Sequence, residues 1–215
     1  MDPAERDKLE QACSFKRYAS HEQIIDRQSD SKDVFFVIEG TVRVVNYSLS
    51  GREITLDDLA SGNYFGELAA IDSAPRSASV MALEDCLVAS LPQEQFLGLF
   101  ETHPDIALKV MKMLTGIIRM STNRIMDLST LAANNRVHSD LLRLARSHST
   151  GNNEAEISPI PTHSDIASRA STTRETVARV FSDLSKNGIV ERQKEALVVL
   201  DVEQLSDMVE EVRGD

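Results

Sequence analysis

The chain has 215 residues, of which 41% are hydrophobic and 27% are charged, and its formal net charge at pH 7 is -11. This is the composition of an ordinary globular protein, which excludes fibrous and intrinsically disordered classes. Residues 1–10 lack the apolar core of a signal peptide, and the longest apolar run, 34–38, is far shorter than the ~20 residues of a membrane span. Because only two cysteines are present, Cys13 and Cys86, we expect no disulfide framework and a reducing, cytoplasmic setting.

The charge is distributed unevenly along the sequence. Residues 163–194 carry six basic and four acidic side chains, whereas residues 195–215 carry seven acidic side chains and a single arginine. An acidic chain repels DNA in general. The net charge therefore argues against nonspecific nucleic-acid binding, but it does not exclude a local basic face, and residues 163–194 are the basic part of this acidic chain.

The amino-terminal ninety or so residues predict a β-structure. Five segments are rich in β-branched and aromatic residues, and turn signals separate them. We expect Glu39-Gly40 to close a tight hairpin between the first two strands. Short strands at a spacing of about ten residues are typical of a sandwich or barrel. The predicted strands are 34–38, 41–45, 53–56, 77–82 and 86–91.

The sequence after Pro92 predicts helices. A short helix is expected at 93–101, a long helix at 105–131 behind Pro104, and another helix at 136–147. Residues 149–161 then predict a loop or wing. Three short helical segments, a hairpin near 193–200 and an acidic terminal helix are expected to follow.

An all-β half followed by an all-α half predicts an α+β chain with two domains joined by the long helix. We place the amino-terminal domain at 1–104, the long helix at 105–133 and the carboxyl-terminal domain at 134–215.

Apolar residues recur along the long helix with alternating spacings of four and three over more than three heptads, which is typical of a coiled coil. A coiled coil implies a homodimer with parallel helices. The alternative is an amphipathic helix that packs on its own domain. Ser121 is the one polar residue of this seam, and Ser121 and Thr122 offer two hydroxyls that fix the register or face a ligand. The seam consists of Ala107, Met111, Leu114, Ile118, Ser121, Ile125, Leu128 and Ala132.

The side chains of residues 65–80 predict a phosphate-binding loop. Gly66 allows a ligand close to the backbone, and residues 68–71 can form a helical turn whose amides face an anion. Arg76 can bind a phosphate through two parallel N–H bonds, and Ser77 adds a hydroxyl donor. Glu67 can accept from a sugar hydroxyl and balance the charge of Arg76. The alternative is a surface Glu–Arg pair beside a turn.

The sequences F-G-E-L-A at 65–69 and R-S-A-S-V at 76–80 closely resemble the phosphate-binding cassette of cyclic-nucleotide-binding domains. The resemblance implies a β-roll in which Glu67 binds the ribose 2′-hydroxyl and Arg76 binds the cyclic phosphate. Ser121 and Thr122 fall where bacterial cyclic AMP receptor proteins carry hydroxyls that contact adenine, in swapped order. The other implied ligand-binding residues are Gly66, Leu68, Ala69, Ser77 and Ala78.

A helix-turn-helix is predicted further along the chain. Thr162 caps a first helix, 171–173 form a turn, and the second helix begins at Arg174. Arginine can pair with guanine through two bonds and glutamate can accept from cytosine. A small helical domain with a solvated charged face is the alternative. The expected packed face consists of Ile166, Ala167, Val177, Val180 and Leu184.

The pattern R-E-T-V-x-R-x-x-x-x-L at 174–184 resembles the recognition helix of the cyclic AMP receptor protein/FNR family. With the cassette, the resemblance extends over about 15–200. It implies a winged helix-turn-helix and a bacterial, homodimeric transcription regulator that reads a TGTGA-like palindrome. Cyclic AMP is the first choice of ligand, cyclic GMP and cyclic di-GMP are alternatives, and RNA polymerase is a candidate partner. The implied DNA-binding residues are Thr173, Arg174, Glu175 and Arg179, with Arg192 and Lys194 on the wing.

Other cofactors of the family do not fit the sequence. An iron-sulfur cluster needs an amino-terminal group of cysteines, and only Cys13 is available there. His21 and Cys86 do not lie in the pattern of haem ligands. We expect His103 to face solvent and His138, His148 and His163 to lie at surface or capping positions. With no nucleophile–base pair or metal set, we expect a non-enzyme; a cyclic-nucleotide-binding protein-interaction module is the remaining alternative.

Overall fold

The structure is a computed structural model that describes residues 2–213, apart from the side chain of Arg213. The chain forms two compact units that divide between Ile117 and Ile118. Within the described residues, no helix combines the length and hydropathy needed to cross a membrane.

The first unit contains two antiparallel sheets of four strands, in the orders β1-β8-β3-β6 and β2-β7-β4-β5. Three helices, α1 (Pro3–Ala12), α2 (Glu67–Asp72) and α3 (Gln93–Thr102), accompany them, and α4 (Pro104–Thr130) begins in this unit. The strands are β1 (Ser14–Tyr18), β2 (Gln23–Ile25), β3 (Val34–Glu39), β4 (Thr41–Tyr47), β5 (Glu53–Ala60), β6 (Tyr64–Phe65), β7 (Ser79–Ala82) and β8 (Cys86–Leu91).

One core joins the two sheets. Phe35 and Phe65 stack with ring centroids 5.3 Å apart, and they belong to the same buried cluster as Val42 and Val80 of the other sheet. Because side chains alternate between the faces of a strand, apolar residues two apart reach this core. The predicted sandwich-like architecture is confirmed.

The predicted hairpin at Glu39-Gly40 is wrong. Strands β3 and β4 pair with different partners and lie in different sheets, so Gly40 carries the chain from one sheet to the other. Its φ is +85°, and a Cβ there would lie 2.7 Å from Cys86 Sγ. Only glycine fits this approach without strain. A two-residue turn signal does not distinguish a hairpin from such a crossing. The adjacent-strand hairpin is β4–β5 instead.

The second unit is a winged helix-turn-helix. A buried core lies between its helices and a three-stranded antiparallel sheet of order β10-β11-β9. The predicted packed face is confirmed, since all five of its residues are buried. From residue 133 the elements are α5 (Ala133–Ser147), β9 (Ala155–Ile157), α6 (His163–Arg169), α7 (Arg174–Lys186), β10 (Val190–Arg192), β11 (Leu197–Val199) and α8 (Val202–Arg213).

Two expectations for this unit need correction. Residues 149–161 are not only a loop, because they contain β9, which pairs with β11. Between Pro161 and the wing there are two helices rather than three, since α7 continues without a break for 13 residues. The cap at Thr162 is confirmed: its Oγ1 accepts from the Asp165 amide at 3.2 Å, and Asp165 accepts from the Thr162 amide in return.

Candidate ligand cassette and DNA-binding helices

The two halves of the predicted cassette lie together in the first unit. Gly66 precedes α2 in a left-handed conformation with φ of +86°, and residues 73–78 lead from α2 into β7. Nη1 of Arg76 donates to the Gly66 carbonyl at 2.9 Å. A Cβ on Gly66 would lie 2.6 Å from the same nitrogen, so the residue must be glycine for Arg76 to reach this position.

Arg76 is buried, with 3% of its surface exposed. Its Nε and Nη2 donate to Ser31 Oγ at 3.3 and 2.9 Å, and Nη2 also donates to the Asp33 carbonyl at 2.8 Å. Burial lowers the pKa of the guanidinium, while Asp33 and Glu67 oppose that shift. Arginine nevertheless stays protonated in proteins. A buried cation therefore lies among neutral hydrogen-bond acceptors.

Ser31 and Asp33 were missed by the sequence analysis. They lie before β3, more than forty residues from Arg76, in a segment whose composition indicates only a polar loop. The segment is nonetheless fixed to the cassette: Lys32 Nζ donates to the Ala74 carbonyl, and the Arg27 amide donates to Ser79 Oγ at 3.0 Å. No local pattern identifies such long-range contacts.

Glu67 is also buried, with 6% of its surface exposed. Burial raises the pKa of its carboxyl group, while a backbone hydrogen bond and the charge of Arg76 oppose that shift. The alternative interpretation of a surface Glu–Arg pair is therefore wrong. Of the remaining predicted cassette residues, Ala69 and Ala78 are buried, whereas Leu68 and Ser77 are exposed.

Ser121 and Thr122 belong to the second unit, where both are exposed on α4. Thr122 Oγ1 donates to the Ile118 carbonyl one turn earlier at 2.9 Å. The structure thus brings the cassette residues together in one unit and places these two hydroxyls in the other.

The heptad seam of α4 divides into two kinds of position. Leu114 is partly buried against the core of the first unit, as the alternative of packing on its own domain predicts. Ile118 and Ile125 are each 63% exposed, and Leu128 is 45% exposed. In the second unit, the seam therefore presents an apolar stripe to solvent.

The predicted base-reading residues lie on one exposed side of α7. Thr173 caps the helix, its Oγ1 accepting from the Thr176 amide at 3.3 Å. Arg174, Glu175 and Arg179 are exposed, while the opposite face is buried. Hydrogen bonds from its own backbone amide and from Thr173 hold the pKa of Glu175 below its ordinary value. This face presents two cations and one carboxylate.

The two basic residues of the wing are exposed, and Arg179 makes one weak contact with a neighbouring side chain. Arg192 is exposed on β10, and Lys194 is exposed in the turn between β10 and β11. Nη2 of Arg179 donates to Asn134 Oδ1 at 3.4 Å, a long contact between exposed side chains that a stronger partner can replace.

Two histidines differ from expectation. His103 does not face solvent freely: its side chain is 13% exposed and its Nε2 lies 3.3 Å from Glu5 Oε2. His138 is half-buried, burial lowers its pKa, and its Nδ1 has no hydrogen-bond partner among the described residues. Across residues 2–213, no group of three or more His, Cys, Asp or Glu side chains could hold a metal ion.

Two domain families match the chain. Residues 15–103 match the cyclic nucleotide-binding domain, and residues 135–208 match the Crp-like helix-turn-helix domain. The first match contains the cassette, and the second contains α7 and the wing. The two matches follow one another in the order of the two units.

Individual proteins resemble the chain along most of its length. It is 34% identical over 159 residues to the cyclic AMP receptor protein of Thermus thermophilus, which is 73% of this chain and 70% of that protein. It is 28% identical over 197 residues to the cAMP-activated global transcriptional regulator Vfr of Pseudomonas aeruginosa, covering 90% of this chain and 92% of that protein. A solved CooA mutant from Carboxydothermus hydrogenoformans shares the fold with a TM-score of 0.83 at 23% identity, covering 94% of this chain and 90% of that one.

Proposed function

Because this chain belongs to the cyclic AMP receptor protein/FNR family of DNA-binding transcription regulators, we propose that it is a homodimer that binds palindromic DNA in response to cyclic AMP. The family consists of regulators rather than enzymes. The observation that carries a cyclic nucleotide as the class of ligand is the buried cation of Arg76 beside a left-handed Gly66. The choice of cyclic AMP within that class follows the relatives whose names state that ligand. Since the proposed partner is bacterial DNA, we expect the protein in the cytoplasm.

The cyclic phosphate is proposed to bind at Arg76. The hydrogen bonds of Arg76 go to Ser31 and to two carbonyls, all of which are neutral acceptors, while the acidic groups of Asp33 and Glu67 act on its charge without accepting one of these bonds. In a site shielded from water this charge interacts strongly with a monoanion. Glu67 can accept a hydrogen bond from a ribose hydroxyl, and burial strengthens that contact as well.

Helix α4 is proposed to carry the signal and the dimer interface. It runs from Pro104 to Thr130 without interruption, and its apolar stripe at Ile118, Ile125 and Leu128 is exposed in a single chain. A second copy packed in parallel would cover that stripe. The hydroxyl of Ser121 lies within this seam and that of Thr122 next to it, so a purine placed there would favour one arrangement of the two helices.

The two α7 helices of a dimer would then read the two halves of a palindrome. They must lie about 34 Å apart, one turn of DNA, to enter successive major grooves. From the family pattern, Arg174 and Arg179 are assigned to guanines and Glu175 to a cytosine of a TGTGA-like half-site. Arg192 and Lys194 are assigned to phosphates.

Two measurements test this proposal. Calorimetric titration with cyclic AMP, cyclic GMP and cyclic di-GMP identifies the ligand, and we expect cyclic AMP to bind most tightly. A gel shift on a palindromic TGTGA duplex should show binding that increases with that ligand. Preferential binding of either guanine nucleotide would replace the proposed ligand within the same fold. Ligand binding without any DNA binding would favour a protein-interaction module instead.

A further inference from the structure

A buried ion pair lies inside the second unit, away from the DNA-reading face of α7. Nε of Arg169, the last residue of α6, donates to both carboxylate oxygens of Asp140 on α5, at 3.1 and 3.0 Å. The two side chains are 9% and 8% exposed. A buried pair contributes to stability only where its geometry is good, and here Nη2 of the half-exposed Arg143 also donates to Asp140 Oδ1 at 3.1 Å. The pair therefore fixes the end of α6 against α5.

Arginines from two other positions bind the backbone at the same place. Nη2 of Arg124 on α4 donates to the Arg169 carbonyl at 3.0 Å. Arg136, in the first turn of α5, donates to the carbonyls of Ala170 and Ser171 at 2.9 and 3.0 Å. Three successive carbonyls at the end of α6 thus accept from arginine side chains of α4 and α5.

The same arginine also binds the end of α4. Nη1 of Arg136 donates to the Leu131 carbonyl at 2.8 Å, next to the break between α4 and α5. A further contact joins these helices, since Ser139 Oγ donates to Asp127 at 2.9 Å. We call Arg124, Arg136, Asp140 and Arg169 the arginine joint.

We propose that the arginine joint couples α4 to the recognition helix, with Arg124 as the positioning residue that attaches the helix-turn-helix to α4. The carbonyl that Arg124 holds lies only four residues before Thr173, the cap of α7. A displacement of α4 near Arg124 therefore moves the start of α7 with it, rather than being absorbed by the break at residues 131–132. The idea that a ligand moves α4 rests on the proposed function. The attachment of α6 to α4 through Arg124 does not, because the hydrogen bond is observed.

The first test measures the response to ligand. Arg124→Gln removes the cation and its fork of donors but keeps a helix-forming polar side chain. Arg119→Gln makes the same change at an exposed position of the same helix and is the matched control. The affinity for a fluorescent palindromic TGTGA duplex is measured with and without saturating cyclic AMP. We expect the ligand-induced gain in affinity to fall about tenfold in Arg124→Gln and to be unchanged in Arg119→Gln.

Ligand binding itself, measured by calorimetry, should stay at the wild-type value in both variants. Equal gains in DNA affinity for wild type and Arg124→Gln would overturn the joint as the coupling element. If cyclic AMP does not raise the affinity of the wild-type protein for the duplex, the proposed function is contradicted. The second test would then decide whether Arg124 attaches α6 to α4.

The second test needs neither ligand nor DNA. Amide hydrogen exchange at residues 170–173 should be faster in Arg124→Gln than in wild type and Arg119→Gln, with exchange in the β-sheets of the first unit unchanged. Unchanged exchange at 170–173 would overturn the attachment. If Arg124→Gln does not fold, Arg124→Lys, which keeps the charge but not the planar fork, is compared with Arg119→Lys in both tests.

Discussion

Arg76 makes its hydrogen bonds to neutral oxygens, those of Ser31 Oγ and of the Asp33 and Gly66 carbonyls. These acceptors fix the position of the guanidinium before any ligand arrives. A group already held in place loses little entropy on binding, so its charge contributes more fully to affinity. The loop before β3 is therefore part of the proposed binding site, although none of its residues belongs to the family pattern.

Arg76→Ala should abolish tight binding of cyclic AMP. Loss of a buried ionic contact costs several kcal/mol, and a cost of about 4 kcal/mol is on the order of a thousandfold in affinity. Calorimetry measures the loss, and circular dichroism checks that the variant is folded. Arg17→Ala, at an exposed arginine of the same unit, is the control. Wild-type affinity in Arg76→Ala would remove the cassette from the binding site.

Glu67→Gln should weaken cyclic AMP more than its 2′-deoxy analogue, because only the ribose form offers the hydroxyl that Glu67 is expected to bind. The ratio of the two affinities, measured by calorimetry in wild type and variant, isolates this contact. Equal losses for both nucleotides would mean that Glu67 does not touch the ribose.

The same substitution should change stability in a pH-dependent way. Because burial raises the folded-state pKa of Glu67 above its unfolded value, the wild-type chain takes up protons at this group on folding. Its stability should therefore fall as the pH rises from the unfolded value through the folded one, and Glu67→Gln should escape that loss. In thermal melts of ligand-free protein across this range, the melting temperature of Glu67→Gln should rise relative to that of wild type as the pH increases. A constant difference in melting temperature would contradict this.

At the scale of elements, α7 should carry the base readout. Arg179 is exposed, and its one long contact with Asn134 is easily exchanged for a guanine. Arg179→Ala should cost about 1–3 kcal/mol and relax specificity at one position of the half-site. Sites selected from random duplexes with ligand present would reveal this. Identical motifs selected with equal stringency by both proteins would exclude base reading by Arg179.

The wing should act differently from α7. Arg192 and Lys194 are exposed on and beside β10, where phosphate contacts need no fixed base partner. Alanine at either position should weaken binding to all duplexes alike and reduce the salt slope by about one. Titrations at several salt concentrations, on specific and unrelated duplexes, measure both effects. A loss confined to the specific duplex would assign the wing to base reading.

Ser121 and Thr122 should influence both ligand choice and activation, since they lie beside the exposed stripe of α4. Alanine at either position removes a hydroxyl worth about 1 kcal/mol. We expect changed discrimination between cyclic AMP and cyclic GMP and a weaker ligand-driven gain in DNA affinity, with the dimer retained. Wild-type behaviour in both variants would leave these residues as register features of the seam.

At the scale of the whole molecule, the exposed stripe of α4 predicts association. Ile118→Asp and Ile125→Asp should shift the protein from dimer to monomer, because each would bury an unpaired carboxylate in the interface. Met126→Asp is the control, since Met126 is equally apolar and 55% exposed but lies about 100° around the helix from Ile125. Sedimentation velocity distinguishes the species. If Ile118→Asp remains as dimeric as the wild type, the seam of α4 is not the dimer interface.

Much of the fold followed from the sequence because hydrophobic period and turn residues are local. The strand at 86–91 and the buried face of α7 came from such patterns, and both are observed. The features that the sequence did not predict depend on contacts between distant parts of the chain or on strands without a clear apolar pattern. Gly40 crosses between sheets, β1 at Ser14–Tyr18 has little apolar periodicity, and the contacts of Ser31 with Arg76 span 45 residues.

The candidate site also has a part that the sequence predicts and a part that only the folded structure reveals. Arg76 and Glu67 could be named from their motif, yet their burial depends on packing that no motif encodes. The arginine joint was not predicted at all. Arg124, Asp140 and Arg169 lie on three helices at spacings that resemble ordinary solvated charges, and only the folded unit brings them together.

The hydrogen bond from Thr122 to the Ile118 carbonyl has a consequence for nucleobase chemistry. While its proton is donated to the helix, the Thr122 oxygen can offer a ligand only lone pairs. The Thr122 oxygen could then accept a hydrogen bond from an exocyclic amine, such as the one at C6 of adenine. It could not bond to the C6 keto oxygen of guanine or hypoxanthine, because both oxygens would be acceptors. With the purine beside Thr122, as proposed, this hydroxyl would favour an amino group over an oxo group at C6 of the base.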